Sequence, residues 1–378
     1  MQTKSIPVTL LTGFLGSGKS TLLTDILGDP SFSDTAVVVN EFGDVGLDGF
    51  LVEHSLEQMV EMTSGCLCCT IRGDIRETLL DLHRRRELGE IPYFARLVVE
   101  TTGLADPAPV IHTLMAEPRL RGIYSLGGVI TTVDALAGEP SLAGHVECVK
   151  QVAVADRVVL TKTDLAVDPA TQAATERLRK AIARINPGAP ILDRNDQAFD
   201  FWELFDASLY DPRIKGFEVQ EWLDAEAYNG ESHHSDHSHH DHTHDGADAH
   251  DHGDHAHDVN RHGTDVRAYC LVMEEPVSTM AFTTALELLL ANQGPDLLRV
   301  KGIINLAEKP DNPVIIHGVQ HVFHEPVWLD EWPSEDHRTK LVFITQNLPK
   351  DTIERFFRAW LHLGEERAVK ALLGRVSS

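Results

Sequence analysis

A short motif near the start of the chain restricts the fold more than any other feature of the sequence. The apolar run PVTLLT leads into GFLGSGKS at residues 13–20, which fits the pattern G-x-x-x-x-G-K-[ST]. The glycines of such a loop allow backbone N–H groups to surround phosphate oxygens, and the following helix adds the positive end of its dipole. The motif therefore predicts a strand, a phosphate-binding loop and a helix in succession.

The side chains of this loop have separate predicted roles. We expect Lys19 to contact the terminal phosphates of a nucleotide and to act in catalysis, while Ser20 binds magnesium. The expected nucleotide contacts in this segment are Gly13, Phe14, Leu15, Gly16, Ser17, Gly18, Lys19, Ser20 and Thr21.

Apolar runs alternate with longer amphipathic segments from Ile6 to about Asp211. The runs are PVTLLT, TAVVVN, RLVVE, GGVITTV and DRVVLT. This alternation predicts an α/β fold with a doubly wound, mainly parallel sheet. A helix is predicted over residues 70–88, because four apolar side chains there share one helical stripe. The stripe consists of Ile71, Ile75, Leu79 and Leu82.

The composition changes abruptly at Gly230. From there to Thr264 the chain consists almost wholly of His, Asp, Ser, Gly and Ala, with too little apolar surface to offset its own ordering entropy. The 378 residues of the chain are enough for two domains and a connection. We therefore expect a P-loop domain over residues 1–211, a disordered His/Asp-rich linker over 212–264, and a smaller α+β domain over 265–378.

The expected C-terminal domain contains strand and helix patterns that indicate no chemistry by themselves. Strands are predicted in VRAYCLVME, LLRVKGIINL, NPVIIHGVQHVFH and KLVFITQNL. Helices are predicted from Ser278 to Asn292 and from Thr352 to Leu373. Cys270 and most histidines of this domain are expected to be core or surface residues rather than metal ligands.

The charge and the cysteine pattern indicate the compartment and the class of partner. The formal charge of −25, from 33 basic and 58 acidic residues, disfavours binding to nucleic acid or to anionic membranes and favours a cation partner. No window approaches the roughly 18 apolar residues of a membrane span, and the N-terminus leads directly into the first predicted strand. Three of the five cysteines lie within four residues, unlike a secreted disulfide framework. We expect a cytoplasmic protein.

The run LVVE ends in Glu100 and is followed by Thr101, Thr102 and Gly103. In P-loop enzymes an acid at this place holds magnesium, usually through water, and a nearby glycine N–H contacts the γ-phosphate. The usual acid is Asp, whereas this chain has Glu. The alternative interpretation of Glu100 is a surface charge at a strand end.

The run RVVL leads into Thr161, Lys162, Thr163 and Asp164. Guanine presents two adjacent donors, N1–H and the 2-amino group, which one carboxylate accepts together. We therefore expect Asp164 to select GTP, with the stem of Lys162 over the base. Thr161 stands where the usual motif has Asn.

Cys66, Cys68 and Cys69 follow a largely apolar segment, and together they predict a metal site. Three thiols so close together are expected to be thiolates on a metal, with zinc the first choice and one tetrahedral position left open. The alternative is buried thiols that fill space. We expect this motif on a loop near the phosphate site, with Glu41 as the fourth ligand or a switch residue. Glu41 is equally explained as a solvated acid.

The linker contains twelve histidines interleaved with aspartates. Neutral imidazoles bind zinc, nickel, cobalt and copper, and the aspartates raise the local cation concentration. This composition indicates a metal buffer or an entry tether, while a low-complexity spacer is the alternative. The residues are His233, His234, His237, His239, His240, His242, His244, His250, His252, His255, His257 and His262.

The motifs together resemble the CobW-like GTPases of the zinc-regulated metallochaperone type. The resemblance is carried by GFLGSGKST, VVETTGLADP, GCLCCT, TKTD, the His-rich insert, and RVKGIINL with HGVQHVFHEPVWLDEWP, so it covers nearly the whole chain. It implies a SIMIBI-class GTPase domain, a CobW C-terminal domain, GTP hydrolysis and metal transfer to a client metalloprotein. It also implies further nucleotide contacts at Cys69, Thr70, Ile71, Arg72 and Gly73.

Several functional interpretations remain open at this stage. The first is an enzyme whose GTP hydrolysis, with Mg²⁺, drives zinc delivery, and which forms a nucleotide-dependent homodimer. The second is a zinc storage or sensing protein with vestigial GTPase activity, and the third is a regulatory GTPase with a structural metal. Related proteins that handle cobalt or iron, in cobalamin synthesis or nitrile hydratase activation, leave the metal undecided.

Overall fold

The computed structural model describes residues 5–40, 59–61, 67–71, 74–205 and 266–361, with the backbone alone for 59–61 and 67–71. Several residues discussed above lie outside the described part of the chain. These are Glu41, Cys66, Arg72, Gly73, the twelve linker histidines, residues 362–373 of the last predicted helix, and the side chains of Cys68, Cys69, Thr70 and Ile71.

The N-terminal domain is built on an eight-stranded sheet with the order β3-β4-β2-β5-β1-β6-β7-β8. All neighbouring strands are parallel except β3 and β4. The central strands are buried on both faces, which explains their nearly continuous apolar sequences. The strands are β1 (Ile6–Gly13), β2 (Thr35–Asn40), β3 (Met59–Glu61), β4 (Leu67–Ile71), β5 (Arg96–Thr101), β6 (Tyr124–Asp134), β7 (Arg157–Thr161) and β8 (Ile191–Asp193).

Helices cover both faces of this sheet. On one face, Leu79 and Ile111 belong to a large apolar cluster with β1 and β5. On the other face, Leu22 and Ile26 pack with Val37 of β2. This arrangement confirms the predicted doubly wound P-loop fold. The helices are α1 (Lys19–Gly28), α2 (Ile75–Glu87), α3 (Ala108–Ala116), α4 (Gly138–Gly144), α5 (Val146–Val154) and α6 (Pro169–Ile185).

The helix predicted over residues 70–88 starts later than the sequence pattern indicated. The backbones of Thr70 and Ile71 belong to β4 and pair with β2. The helix begins at Ile75 because the carboxylate of Asp74 accepts a hydrogen bond from the N–H of Arg76 at 2.9 Å and caps the first turn. The rest of the predicted apolar stripe is confirmed, since Ile75, Leu79 and Leu82 are buried.

The C-terminal domain is a six-stranded antiparallel sheet with the order β12-β11-β10-β14-β9, and β13 pairs with β11. Phe282, Phe343 and Phe357 belong to the core between this sheet and its helices. These elements confirm the predicted α+β domain. They are β9 (Val266–Met273), α7 (Thr279–Gln293), β10 (Leu297–Ile304), β11 (Val314–Val319), β12 (Val322–Phe323), β13 (Val327–Trp328), β14 (Thr339–Gln346) and α8 (350–361).

Two details of the C-terminal domain bear on the sequence predictions. The segment predicted as one strand, NPVIIHGVQHVFH, is a hairpin, because Gln320 has a φ of 52° and turns the chain between β11 and β12. Cys270 is buried, as expected for a core residue, and burial raises the pKa of its thiol to about 11.

The two domains share a buried contact between α5 and β10. Arg299 donates hydrogen bonds to the carbonyl of Val154 and to the carboxylate of Asp156, and Lys301 Nζ lies 3.1 Å from Asp156 Oδ1. The other oxygen, Asp156 Oδ2, accepts the N–H of Val129 at 2.9 Å. We call Asp156, Arg299 and Lys301 the interdomain cluster. It joins one carboxylate of the first domain to two cations of the second.

Within the described ranges, every helix is too short or too polar to span a bilayer.

Candidate functional site

The predicted nucleotide-binding elements converge at one edge of the N-terminal sheet. The phosphate loop follows β1, Glu100 lies near the end of β5, and Thr161 ends β7. The strands β5, β1, β6 and β7 are consecutive in the sheet. Because parallel strands present their carboxyl ends on the same edge, the three motifs meet at the place where ligands of doubly wound folds bind.

The loop backbone requires glycine at specific positions. Gly13, Gly16 and Gly18 have φ values of 141°, 72° and 86°. A Cβ atom on Gly13 would lie 2.4 Å from the carbonyl oxygen of Thr132 on β6. Glycine is therefore required at these positions for two reasons: the backbone has positive φ angles, and at Gly13 the neighbouring strand leaves no room for a side chain.

Lys19 and Ser20 begin α1 and point into the loop and toward β5. The Lys19 Nζ donates to the carbonyl oxygens of Gly13 at 2.9 Å and Phe14 at 3.1 Å. The Ser20 hydroxyl donates to Glu100 Oε1 at 3.0 Å, and Glu100 is only 5% exposed. A buried carboxylate beside a hydroxyl offers two oxygen atoms within reach of one hard cation.

Magnesium usually combines one or two protein oxygens with water and phosphate oxygens. Ser20 and Glu100 fit that incomplete set. Within the described ranges there is no group of three or more His, Cys, Asp or Glu residues placed to hold a metal ion. A hydroxyl and a carboxylate side by side match the few protein oxygens that magnesium uses when it binds together with a nucleotide.

The segment after Glu100 lies directly against the phosphate loop. A Cβ atom on Gly103 would be 2.7 Å from the backbone nitrogen of Leu15. The fully buried Gln151 of α5 holds this segment, because its Nε2 donates to the carbonyls of Gly103 and Ala105, both at 3.1 Å. Gln151 was not predicted as a functional residue. The one local feature that could have indicated it is a polar amide within the mostly apolar helix VECVKQVAV.

The residues of the TKTD motif tie β7 to the phosphate loop. Thr161 Oγ1 donates to the carbonyl of Ser17 at 2.8 Å. Lys162 has a φ of 59°, and its Nζ donates to the carbonyl of Gly16 at 2.8 Å and to Asp134 Oδ2 at 2.6 Å. The stem of Lys162 thus crosses the loop, and Thr161 contacts the loop from the position where the usual motif has Asn.

Asp134 was not identified from the sequence. Burial alone would raise the pKa of its carboxyl, but hydrogen bonds from Lys162 and from the N–H groups of Leu136 and Ala137 outweigh burial and lower the pKa. Asp134 is therefore ionised at neutral pH, and it holds the ammonium of Lys162 beside the loop.

Asp164 is exposed to solvent and is oriented by a second residue that the sequence analysis missed. Asn195 Nδ2 donates to Asp164 Oδ1 at 3.0 Å and to Thr163 Oγ1 at 2.9 Å. The Thr163 hydroxyl in turn donates to Asp193 Oδ1 at 2.6 Å. The chain after β8 therefore holds the carboxylate that was predicted to select guanine.

The second half of the cysteine motif lies in a strand rather than in a loop. The backbones of Cys68 and Cys69 pair with Val37 and Val38 of β2. The expected loop was wrong because these residues are paired on both sides, with β2 and with β3. β2 is the only strand between β4 and β5, so the motif's backbone is two strand spacings, about 10 Å, from the strand that carries Glu100.

Comparisons with known proteins agree with the motifs and the fold. The model of the CobW/HypB/UreG nucleotide-binding domain matches residues 7–193, and that of the cobalamin synthesis protein cobW C-terminal domain matches residues 266–361. The zinc chaperone YjiA of Escherichia coli is 33% identical over 352 residues, which cover 93% of this chain and 98% of YjiA.

Two further comparisons concern a eukaryotic relative and a solved structure. The zinc-regulated GTPase metalloprotein activator 1 of Schizosaccharomyces pombe is 31% identical over 238 residues, or 60% of this chain and 51% of that protein. The crystal structure of Zn(II)-bound YjiA GTPase from E. coli superimposes with a TM-score of 0.68 at 30% identity, and the match covers 95% of this chain and 99% of that one. The resemblance inferred from the motifs is confirmed: the chain belongs to the CobW/HypB/UreG family of nucleotide-binding proteins and carries the CobW C-terminal domain.

Proposed function

We propose that this protein hydrolyses GTP with magnesium and uses the hydrolysis to deliver zinc to a client metalloprotein. The observation that carries the proposal is the convergence of the phosphate loop, the Ser20–Glu100 pair and Asp164 at one edge of the sheet. The relatives named a zinc chaperone and a zinc-regulated GTPase support the choice of metal and nucleotide.

In the proposed reaction, the loop N–H groups of residues 13–18 bind the phosphates of GTP. The ammonium of Lys19, which now contacts the carbonyls of Gly13 and Phe14, turns toward the terminal phosphates. Ser20 and Glu100 would hold magnesium, and that ion would supply positive charge to neutralise the phosphate oxygens. The N–H of Gly103 contacts the γ-phosphate because this residue already lies against the loop.

Guanine is the base that this arrangement is proposed to select. Asp164 accepts both donors of guanine on one carboxylate, and Asn195 keeps that carboxylate in place. The stem of Lys162 covers the base while its ammonium stays on Asp134. Thr161 and Thr163 position the motif through their hydroxyl groups.

Zinc is the proposed cargo rather than a resident cofactor. Cys66, Cys68 and Cys69 bind it as thiolates, with Glu41 as the fourth ligand, and Cys69, Thr70, Ile71, Arg72 and Gly73 approach the nucleotide. The backbone register supports this assignment, since β4 is separated from the Glu100 strand only by β2. Only a short distance therefore separates the proposed nucleotide site from the proposed zinc site, so a change of nucleotide can alter zinc binding.

The proposal predicts that zinc affinity depends on the bound nucleotide. Competition with a chromophoric chelator measures this affinity in the apo, GTP-analogue and GDP states. We expect a change of about 5 to 150-fold, and by linkage zinc shifts GTP affinity by the same factor. Cys66→Ser, Cys68→Ser and Cys69→Ser together serve as the control that loses the coupling but largely keeps GTP binding, because no guanine or phosphate contact requires the thiol of Cys69. Identical zinc affinity in all three states would contradict delivery and favour storage.

The cellular setting follows from the same chemistry. Thiolate ligands and a charge of −25 support action in the reducing cytoplasm, on a client protein and not on nucleic acid or a membrane. We further propose that the protein forms a homodimer whose stability depends on the bound nucleotide. Light scattering with each nucleotide tests this, and equal mass in both states contradicts it.

A further inference from the structure

Two histidine rings meet where the two domains contact each other. His112 lies on α3 of the N-terminal domain, and His321 lies in the turn between β11 and β12. The ring centroids are 4.5 Å apart and the ring planes make an angle of 67°. Neither residue takes part in the proposed nucleotide or cysteine site.

The hydrogen bond of His112 fixes which of its nitrogens can bind a ligand. His112 Nε2 lies 3.0 Å from the carbonyl oxygen of Val319. Because a carbonyl oxygen only accepts, Nε2 carries the hydrogen and Nδ1 of the neutral ring has a lone pair. Histidines bound to metals usually donate their other ring N–H to a carbonyl or carboxylate in this way.

The surroundings of His112 favour the neutral form that a metal needs. Burial lowers the pKa of His112, and the neighbouring His321 lowers it further, against the opposing effects of Val319 and Asp106. The ring is therefore uncharged at neutral pH. A neutral imidazole does not have to release a proton before it binds a cation.

The spacing of the rings fits a shared metal ion. Two imidazoles that bind one tetrahedral zinc through nitrogens at about 2.0–2.1 Å have centroids roughly 5 Å apart. The observed separation is 4.5 Å. His112 is half-buried and His321 is exposed, so an ion from solvent can reach the pair. His321 also lies near Gly294, where an added Cβ would be 3.4 Å from the His321 Cβ.

We propose that His112 and His321 form a second metal site, which binds a divalent late transition ion such as zinc and links the two domains. Water or an incoming donor group completes the coordination, as suits a site that exchanges its ion. The site lies on α3, which begins five residues after Gly103, so an ion there joins the C-terminal domain to the helix that follows the γ-phosphate segment.

The test measures whether zinc stabilises the folded chain through this pair. The full chain with Cys66→Ser, Cys68→Ser and Cys69→Ser is unfolded in urea with and without zinc chloride. An ion that binds only the native state, at 100 times its Kd, raises the folding equilibrium constant about 100-fold. We expect His112→Gln and His321→Phe to lose this increase. Zinc held by the His-rich linker is common to all variants and cancels in their comparison.

The control variants separate metal binding from a simple ring contact. His321→Phe keeps an aromatic ring against His112 but removes the nitrogens, and it lies on an exposed turn where folding is preserved. His337→Gln removes a ring that stacks on Trp332 at 4.8 Å in the same domain, so its zinc response should equal that of the parent. An undiminished zinc response in His321→Phe would overturn the proposal. GTP turnover is measured separately in chains that keep the three cysteines. There His112→Gln and His321→Phe are expected to leave turnover unchanged, which keeps this outcome distinct from failure of the proposed function.

Discussion

At the scale of single residues, the nucleotide site depends on side chains that position other side chains. Asn195 orients Asp164, Asp134 holds Lys162, and neither belongs to a recognisable motif. Asn195 lies 31 residues after Asp164, and Asp134 lies 28 residues before Lys162. No local pattern in the sequence can therefore reveal these two partners. The motif residues themselves were predictable because each carries a chemical requirement at a fixed spacing.

The first prediction concerns guanine preference. Asn195→Ala removes the hydrogen bond to Asp164, which is worth about 0.5–1.5 kcal/mol, so GTP affinity should fall roughly 2 to 10-fold. Affinity for ATP should not change, because adenine offers no paired donors to Asp164. Competition with a fluorescent nucleotide measures both affinities, and Asp164→Asn provides the comparison in which the preference is lost. An equal decrease for ATP and GTP would show that Asn195 supports the fold and not the base.

At the scale of elements, α5 connects the 103–105 segment beside the phosphate loop to the domain contact. Gln151 in the middle of this helix holds Gly103 and Ala105, and the carbonyl of Val154 at its end accepts from Arg299. One helix therefore contacts both the 103–105 segment and the C-terminal domain. The connection consists of packed and hydrogen-bonded residues. Mutation measures the energetic coupling between the 103–105 segment and the domain contact.

The second prediction tests this anchor. Gln151→Leu keeps the volume but leaves two carbonyls without their donor, at a cost of about 1–3 kcal/mol each if they stay buried. We expect GTP turnover to fall at least 10-fold while GTP binding changes less, because the segment proposed to contact the γ-phosphate loses its position. Lys150→Ala is the matched control on the same helix, since its partly exposed pair with Asp106 is worth at most about 1 kcal/mol. Equal losses of turnover in both variants would contradict a special role for Gln151.

The strands show which parts of the fold the sequence could predict. Runs such as TAVVVN and RVVL are continuous and β-branched, and they form β2 and β7. The strands β3 and β8 have three residues each, too few to show a period, and were missed. Ile71 was placed in a helix because it lies four residues before Ile75, a spacing that cannot distinguish a helical neighbour from the end of a strand.

At the scale of the whole molecule, the two domains are joined through buried charge and histidine. His317 and His324 line a small cavity with Met115 and Leu126 of the N-terminal domain. Burial lowers the pKa of His324 to about 4, with Arg299 adding to the effect and Asp156 opposing it. Burial also holds the pKa of His317 well below its usual value. Both rings are neutral in the folded protein.

The third prediction is a loss of stability in mild acid. The unfolded chain takes up protons on these rings below about pH 6.5, whereas folded His324 resists protonation until about pH 4. Stability is therefore highest above pH 6.5 and falls toward pH 4, by about 1.4 kcal/mol per pH unit for each such group. Urea unfolding between pH 7.5 and 4.5 measures this slope, and His324→Gln should reduce it. An unchanged slope in the variant would indicate that other groups cause the loss.

The interdomain cluster also has a consequence for synthesis on the ribosome. Asp156 precedes Arg299 by 143 residues, so at about 5–20 residues per second the nascent chain lacks the partner of Asp156 for roughly 7 to 30 seconds. During that interval the N-terminal sheet can close around its own helices, while Asp156 and the neighbouring Ala153, which later packs on Leu298 and Ile344, face water. This face of the N-terminal domain therefore stays uncovered for a finite period during synthesis, and translation speed between codons 156 and 299 sets the time that Asp156 waits for Arg299.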